Sequence, residues 1–196
     1  MVAEKPMYYN EIKSYITSFY PISEASFNLV YEIAHIKQVK SGTVLVNIGD
    51  VPNKIYMINK GVMRSYVRLE NGKEVTKSIF VPRIILASFR ALINQTPSEC
   101  IYESLTDCEI YEVDYFKYKA LCETNAEVLG FHAKFLEQLL CQHDAKHIEL
   151  LTMNAKQRYL KLRKVIPNID NLIPQYQIAK FLSITPVQLS RIRAKL

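Results

Sequence analysis

The chain is short of most features that would mark an enzyme, a membrane protein or a metalloprotein. No apolar run among its 196 residues approaches the ~18 needed to span a bilayer. The opening stretch, MVAEKPMYYNEIKSY, lacks the apolar core of an export leader. Cys100, Cys108, Cys122 and Cys141 form no Cys-x-x-Cys pair, so neither a zinc site nor a cluster is indicated and free thiols are expected. No histidine lies between His35 and His132, which removes the metal ligands a small catalytic barrel would need. A phosphate-cradling glycine-rich loop and a nucleophile elbow are both missing. Low-complexity tracts are absent too, and an apolar content of 49% is ample for one large core or two small ones. The expectation is a cytoplasmic protein that is no enzyme, holds no cofactor or resident metal and has no membrane partner.

Acid is scarce at one end only. Residues 155–196 hold nine basic residues and a single acid, Asp170, whereas the rest of the chain holds 16 basic and 18 acidic residues. The net charge of +6 therefore combines a near-neutral body with a strongly basic end, the footprint of a polyanion binder. That end is also patterned. Thr185, Pro186 and Gln188 follow the capping-box order Thr-x-x-Gln with proline at the first helical position, and Ile184 and Leu189 can close a hydrophobic staple. A helix is predicted from Thr185, with Leu189, Ile192 and Leu196 on its buried face. Before it, Ile178, Ala179, Phe181 and Leu182 form a second apolar stripe. Two helices joined by only three or four residues must cross steeply, with the small Ala179 permitting close approach. This is either a helix-turn-helix, whose second helix enters the DNA major groove, or an ordinary corner between two helices, and the charge favours the first.

Upstream, residues 8–36 read as helical, broken at Pro21. Residues 37–114 change period to short β-branched and aromatic runs with turn signals between them, and Asn71-Gly72 pairs residues 62–70 with 73–80 as a hairpin. Such strands suggest a small sandwich or roll. From Ala126 a helical pattern runs to Val165. Its apolar stripe, through Leu129, Leu136, Leu139, Leu140, Leu150 and Leu151 and widened by Val128, Phe131 and Phe135, is wide enough to face both its own domain and a second subunit. His143 and His147, four apart on that helix, have the spacing of a metal pair, but two polar surface residues are the simpler reading.

Taken together, the stretch SGTVLVNIGDVPNKIYMINKGVMRSY, the long helix and IAKFLSITPVQLSRI resemble the Crp/Fnr family of bacterial transcription regulators over nearly the whole chain. The resemblance implies an α+β fold: a cyclic-nucleotide-binding-like double-stranded β-roll with flanking helices over residues 1–124, a dimerisation helix over 125–153, and a helix-turn-helix DNA-binding domain over 154–196. It implies a homodimer on double-stranded DNA, with RNA polymerase as a further candidate partner. Pro186, Val187 and Arg191 stand where recognition helices meet base edges, and Arg191 can contact guanine bidentately. Gln188 is divided between the cap and a base, and Ser190 shares the outward face. Lys180, Arg193 and Lys195 are expected on phosphates, as is the helix start at Thr185. Ser183 replaces the usual glycine of the turn, at a cost of about 1 kcal/mol. No wing hairpin is expected beyond that helix.

The sensor departs from the family. Members that bind cyclic nucleotides use a Gly-Glu pair for the ribose and an arginine after proline for the phosphate. Ala87 and Ser88 stand at the first pair here, and Ser98-Glu99 follows Pro97 where the arginine is expected. Losing the phosphate's cation and gaining an anion argues against cyclic AMP. Arg90 offers a displaced cation for another anionic ligand. A degenerate sensor that only dimerises and docks another protein is the alternative function.

Overall fold

The computed structural model describes residues 9–196; the expectations for the first eight positions, including the start of the opening stretch, lie outside it. Two short helices come first, α1 (Tyr9–Phe19) and α2 (Glu24–Glu32). Pro21 ends the first, and the hydroxyl of Ser23 caps the second by accepting from the Ser26 amide. Tyr9, Ile12, Ile16, Ser26 and Phe27 are their buried residues, and Tyr9 sits edge-on to Phe27 and Tyr31 with ring centroids 5.1 and 5.0 Å away.

Eight strands follow: β1 (Ala34–Val39), β2 (Val44–Val46), β3 (Lys54–Lys60), β4 (Met63–Arg68), β5 (Glu74–Phe80), β6 (Ile85–Leu86), β7 (Ile101–Ser104) and β8 (Cys108–Asp114). They form two antiparallel sheets of four, ordered β1-β8-β3-β6 and β2-β7-β4-β5, that face each other as a roll. Its interior is filled by Val39, Val46, Tyr56, Ile58, Met63, Leu86, Tyr102, Cys108 and Ile110. Strands β3 and β8 are apolar on both faces. Ile58 and Ile110 point into the roll, while Ile55, Met57, Tyr111 and Val113 point out under the helices. The Asn71-Gly72 turn joins β4 to β5 as expected, with Arg68 opposite Glu74 and Met63 opposite Phe80. Strand β1 corrects the reading of residues 34–36 as helix; it is an edge strand with mostly exposed side chains, so its apolar pattern is weak.

Two further helices, α3 (Phe89–Asn94) within the roll and α4 (Tyr115–Thr124) after it, lead to the 27-residue α5 (Ala126–Thr152). The helical pattern to Val165 proves to be two helices, because Asn154 starts α6 (Ala155–Val165) with a capping box to Gln157. Val128 and Phe131 of α5 are buried against α1, α2 and α4. Further along, Leu140 and Leu151 are 71% and 74% exposed. The last helices, α7 (Ile169–Leu172), α8 (Gln175–Leu182) and α9 (Pro186–Arg193), share one core with α6, built on Tyr159, Leu162, Ile169, Ile178, Leu182 and Leu189. Val62 and Ile79 of the roll belong to that same core, so the C-terminal helices rest on the β4–β5 hairpin. Among the described residues no helix is long and apolar enough to cross a membrane.

Candidate nucleic-acid interface

Helix α8 ends at Ser183, whose φ of 58° and ψ of 38° are left-handed, as the missing glycine demands. The Ile184 amide then donates back to the Ala179 carbonyl at 3.0 Å. A second device closes this end: Arg158 of α6 donates to the Leu182 carbonyl at 2.9 Å. The sequence reading counted Arg158 only as charge; its role depends on a contact 24 positions away, which no local pattern announces.

The start of α9 matches the pattern read from the sequence. The Thr185 hydroxyl accepts from the Gln188 amide, and the Gln188 side-chain oxygen accepts from the Thr185 amide at 2.8 Å. That bond commits the Gln188 oxygen to the cap. Leu189 is fully buried and Ile192 partly so, while Pro186, Val187, Gln188, Ser190, Arg191 and Lys195 are exposed together with Thr185. Leu196 departs from expectation: α9 stops at Arg193, and Leu196 is 55% exposed rather than on the buried face. Two of the basic residues assigned to phosphates are engaged elsewhere. Arg193 leans on Asp170, Nε to Oδ1 at 3.6 Å, and Lys180 reaches Glu74 of the hairpin at 2.8 Å. Burial pushes the Glu74 carboxyl up, but the hydrogen bonds from Lys180 and Arg64 outweigh it and hold the group below its ordinary value.

The five residues read as an effector pocket do not stay together. Ala87, Ser88 and Ser98 are buried inside the roll, with the two serine hydroxyls 2.9 Å apart. Ser98 also donates to the Cys100 carbonyl at 2.8 Å, and the Tyr102 hydroxyl donates to the Ala87 carbonyl at 2.9 Å. Phe80 stacks on the Tyr102 ring. Burial raises the Tyr102 pKa above its usual value, so the phenol stays neutral. Arg90 and Glu99 lie outside, as a surface ion pair at 2.7 Å with both side chains more than two-thirds exposed. Arg90 thus already has an anionic partner in Glu99. The sequence reading missed Tyr102 as well, since nothing local separates a pocket-filling tyrosine from a surface one. A cavity of about 100 Å³ lies instead on the outer side of the first sheet, between Ile16, Tyr31, Met57, Tyr111, Phe131 and Phe135. No lysine or arginine lines it, and burial lowers the pKa of its one basic residue, His132, so it offers no fixed cation for a cyclic phosphate. His143 and His147 are exposed on α5, and no group of three or more potential metal ligands clusters among the described residues.

Comparison with known proteins places these features. The family model of the cyclic nucleotide-binding domain matches residues 36–140, which is more than half of the chain. No curated protein matches the sequence significantly. Among solved structures, the c-di-GMP responsive global regulator CLP of Xanthomonas campestris superposes with a TM-score of 0.68 at 14% identity, over 88% of this chain and 91% of that one. FixK2 of Bradyrhizobium japonicum gives 0.69 at 16%, over 84% of each chain. The catabolite activator protein of Thermus thermophilus gives 0.57 at 18%, over 91% and 85%. Identities this low speak for shared architecture alone. With the matched segment covering the roll from within β1 onward and the first half of α5, the chain belongs to the cyclic nucleotide-binding domain family.

Proposed function

We propose that the protein is a sequence-specific, DNA-binding transcription regulator of the Crp/Fnr type that works in the cytoplasm as a homodimer. The observation that carries this reading is α9: one face buried on Leu189, the other offering Val187, Gln188, Ser190 and Arg191 to solvent. A helix so capped and so exposed, at the basic end of the chain, has the form of a major-groove reader. Arg191 reads a base, while Thr185, at the helix start, and Lys195 hold phosphates. Arg193 and Lys180 contribute positive potential from their ion pairs rather than as free phosphate ligands.

Residues 125–153 form the dimer helix, and the exposed Leu140 and Leu151 give it an apolar face to share. Two copies then address half-sites about one helical turn apart. The roll does not take cyclic AMP: at the sequence positions of the ribose acceptor and the phosphate cation stand Ser88 and Ser98-Glu99, and the two serine hydroxyls are buried against each other. RNA polymerase is the partner expected of a regulator once it is bound beside a promoter.

Selection on randomised duplex DNA tests the reading. Enrichment of a near-palindromic site supports it. Weak, uniform binding without enrichment would reduce the protein to a charged interaction module.

A further inference from the structure

One buried side chain joins the two halves of the molecule. Arg64 of β4 is 4% exposed, yet it carries a full charge. Its Nε and Nη2 donate to Glu103 of β7 at 2.9 and 2.7 Å, and Nη2 also donates to Glu74 of β5 at 2.9 Å. Its Nη1 donates to the side-chain oxygen of Gln177 on α8 at 3.1 Å, and its guanidinium lies 3.9 Å from the centre of the Tyr66 ring. Gln177 is itself 5% exposed. Glu74 completes the knot by accepting from Lys180, one turn further along α8.

We propose that Arg64 is a positioning residue for the DNA-reading helix: through Gln177 and the Glu74–Lys180 pair it fixes the angle at which α8, and with it α9, stands on the β4–β5 hairpin. The proposal rests on the reading of α9 given above.

The physics lies in directionality. Val62 and Ile79 meet the helices through apolar contact, which tolerates sliding and small rotations. A buried guanidinium does not. Its planar fork requires acceptors at set directions, and a shifted α8 would leave the Nη1 donor and the Gln177 oxygen buried without partners, while Glu103 and Glu74 keep the charge paired. Glu103 and Glu74 orient the guanidinium on the sheet, and the helix pair must then bring Gln177 to its remaining Nη1 donor. Because three residues separate α8 from α9, with Ser183 held left-handed, the angle set at α8 passes to α9. All donors and acceptors of the knot come from the chain itself. A dimer with two heads fixed in this way presents them at one separation, so it pays no ordering entropy on meeting its half-sites.

The test uses the full chain with Arg64→Lys, which keeps the charge and loses the fork, and Gln177→Ala, which cuts only the link to the helices and spares the roll. In the first arm, amide hydrogen exchange is followed without DNA. Arg64→Lys is expected to exchange about tenfold faster than wild type in α8 and in β4–β5, and Gln177→Ala in α8 alone, the size of one charge-assisted bond, with α1, α2 and α4 unchanged in both. In the second arm, affinity is measured on the selected duplex and on versions carrying one or two extra base pairs between half-sites. Wild type is expected to lose affinity steeply with the insertions, and the variants to lose little. The slope of affinity against salt is expected to stay at the wild-type value, since Arg64 touches no phosphate. Loss of stability alone would not relax spacing selectivity. Wild-type exchange in both variants, or wild-type spacing selectivity in both, overturns the proposal. If wild type itself enriches no duplex, the DNA-reading function fails while the exchange arm still decides whether Arg64 seats the helices. Should Arg64→Lys not fold, Gln177→Ala carries both arms.

Discussion

At Gly61 the backbone has a φ of 92°, and a Cβ added there would come within 2.6 Å of the Cys108 sulfur and 2.9 Å of its Cα. Two costs combine for any side chain: the left-handed conformation and the collision with β8. Gly61→Ala is expected to destabilise the roll by about 3 kcal/mol, measured by urea unfolding. The other residue that decides the account is Arg191. It is exposed on α9, and nothing in the fold depends on it. Arg191→Ala is expected to leave the melting temperature unchanged and to cost about 1–3 kcal/mol in site-specific binding, with relaxed preference at one base position. A uniform loss across all sequences would make it a phosphate contact. At this scale the sequence was informative wherever the chemistry is local. The Thr185–Gln188 box and the left-handed Ser183 follow from neighbours within three or four positions. The neutral knot around Arg64 does not, because Glu103 and Gln177 lie 39 and 113 positions away.

Among the elements, the hairpin β4–β5 and the helix α9 were visible because their signals are strong and self-contained. Strand β1 was hidden by its exposed edge position, and β6, two residues long, has no pattern to find. The break between α5 and α6 is absent from the periodicity, although the domain bound at 153/154 that the family resemblance implies stands at the same place. The apolar spacing continues across it, and only the Asn154-x-x-Gln157 order marks the new start. Asn154→Ala is expected to destabilise this junction by about 1 kcal/mol in thermal unfolding. The junction is also pH-dependent. Glu149, at the end of α5, is buried and paired with Lys146 of its own helix at 2.8 Å and Lys161 of α6 at 3.1 Å, the charged groups that face it. Burial pushes its carboxyl up, and the two lysines more than reverse this, so the pKa falls below the ordinary 4.5. A depressed acid stabilises the fold above its unfolded pKa and loses that contribution as pH falls through the folded one. Wild type is therefore expected to melt higher than Glu149→Gln at pH 7. The gap should begin to close below about pH 4.5 and disappear at more acidic pH. A gap that persists in strong acid would mean the carboxylate charge is not what joins the helices.

For the molecule as a whole, three features have to agree: a basic, exposed last helix, a roll whose interior is occupied by its own side chains, and a helix pair seated on that roll. Charge asymmetry and the helix pattern made the first readable from the sequence. The departures at Ser88 and Ser98 hinted at the second, but the Tyr102 hydroxyl that reaches the Ala87 carbonyl could only be seen in three dimensions. The third was not foreseen at all, because it depends on the outer face of one domain matching a helix of another. The most direct test of the account is a titration of the selected duplex and a scrambled one at two salt concentrations, with and without cyclic AMP. The account predicts tight binding to the selected duplex, a steep fall with salt, and the same affinity whether or not the nucleotide is present. Tightening on addition of cyclic AMP would contradict the filled roll, and equal affinity for both duplexes would contradict sequence-specific reading by α9.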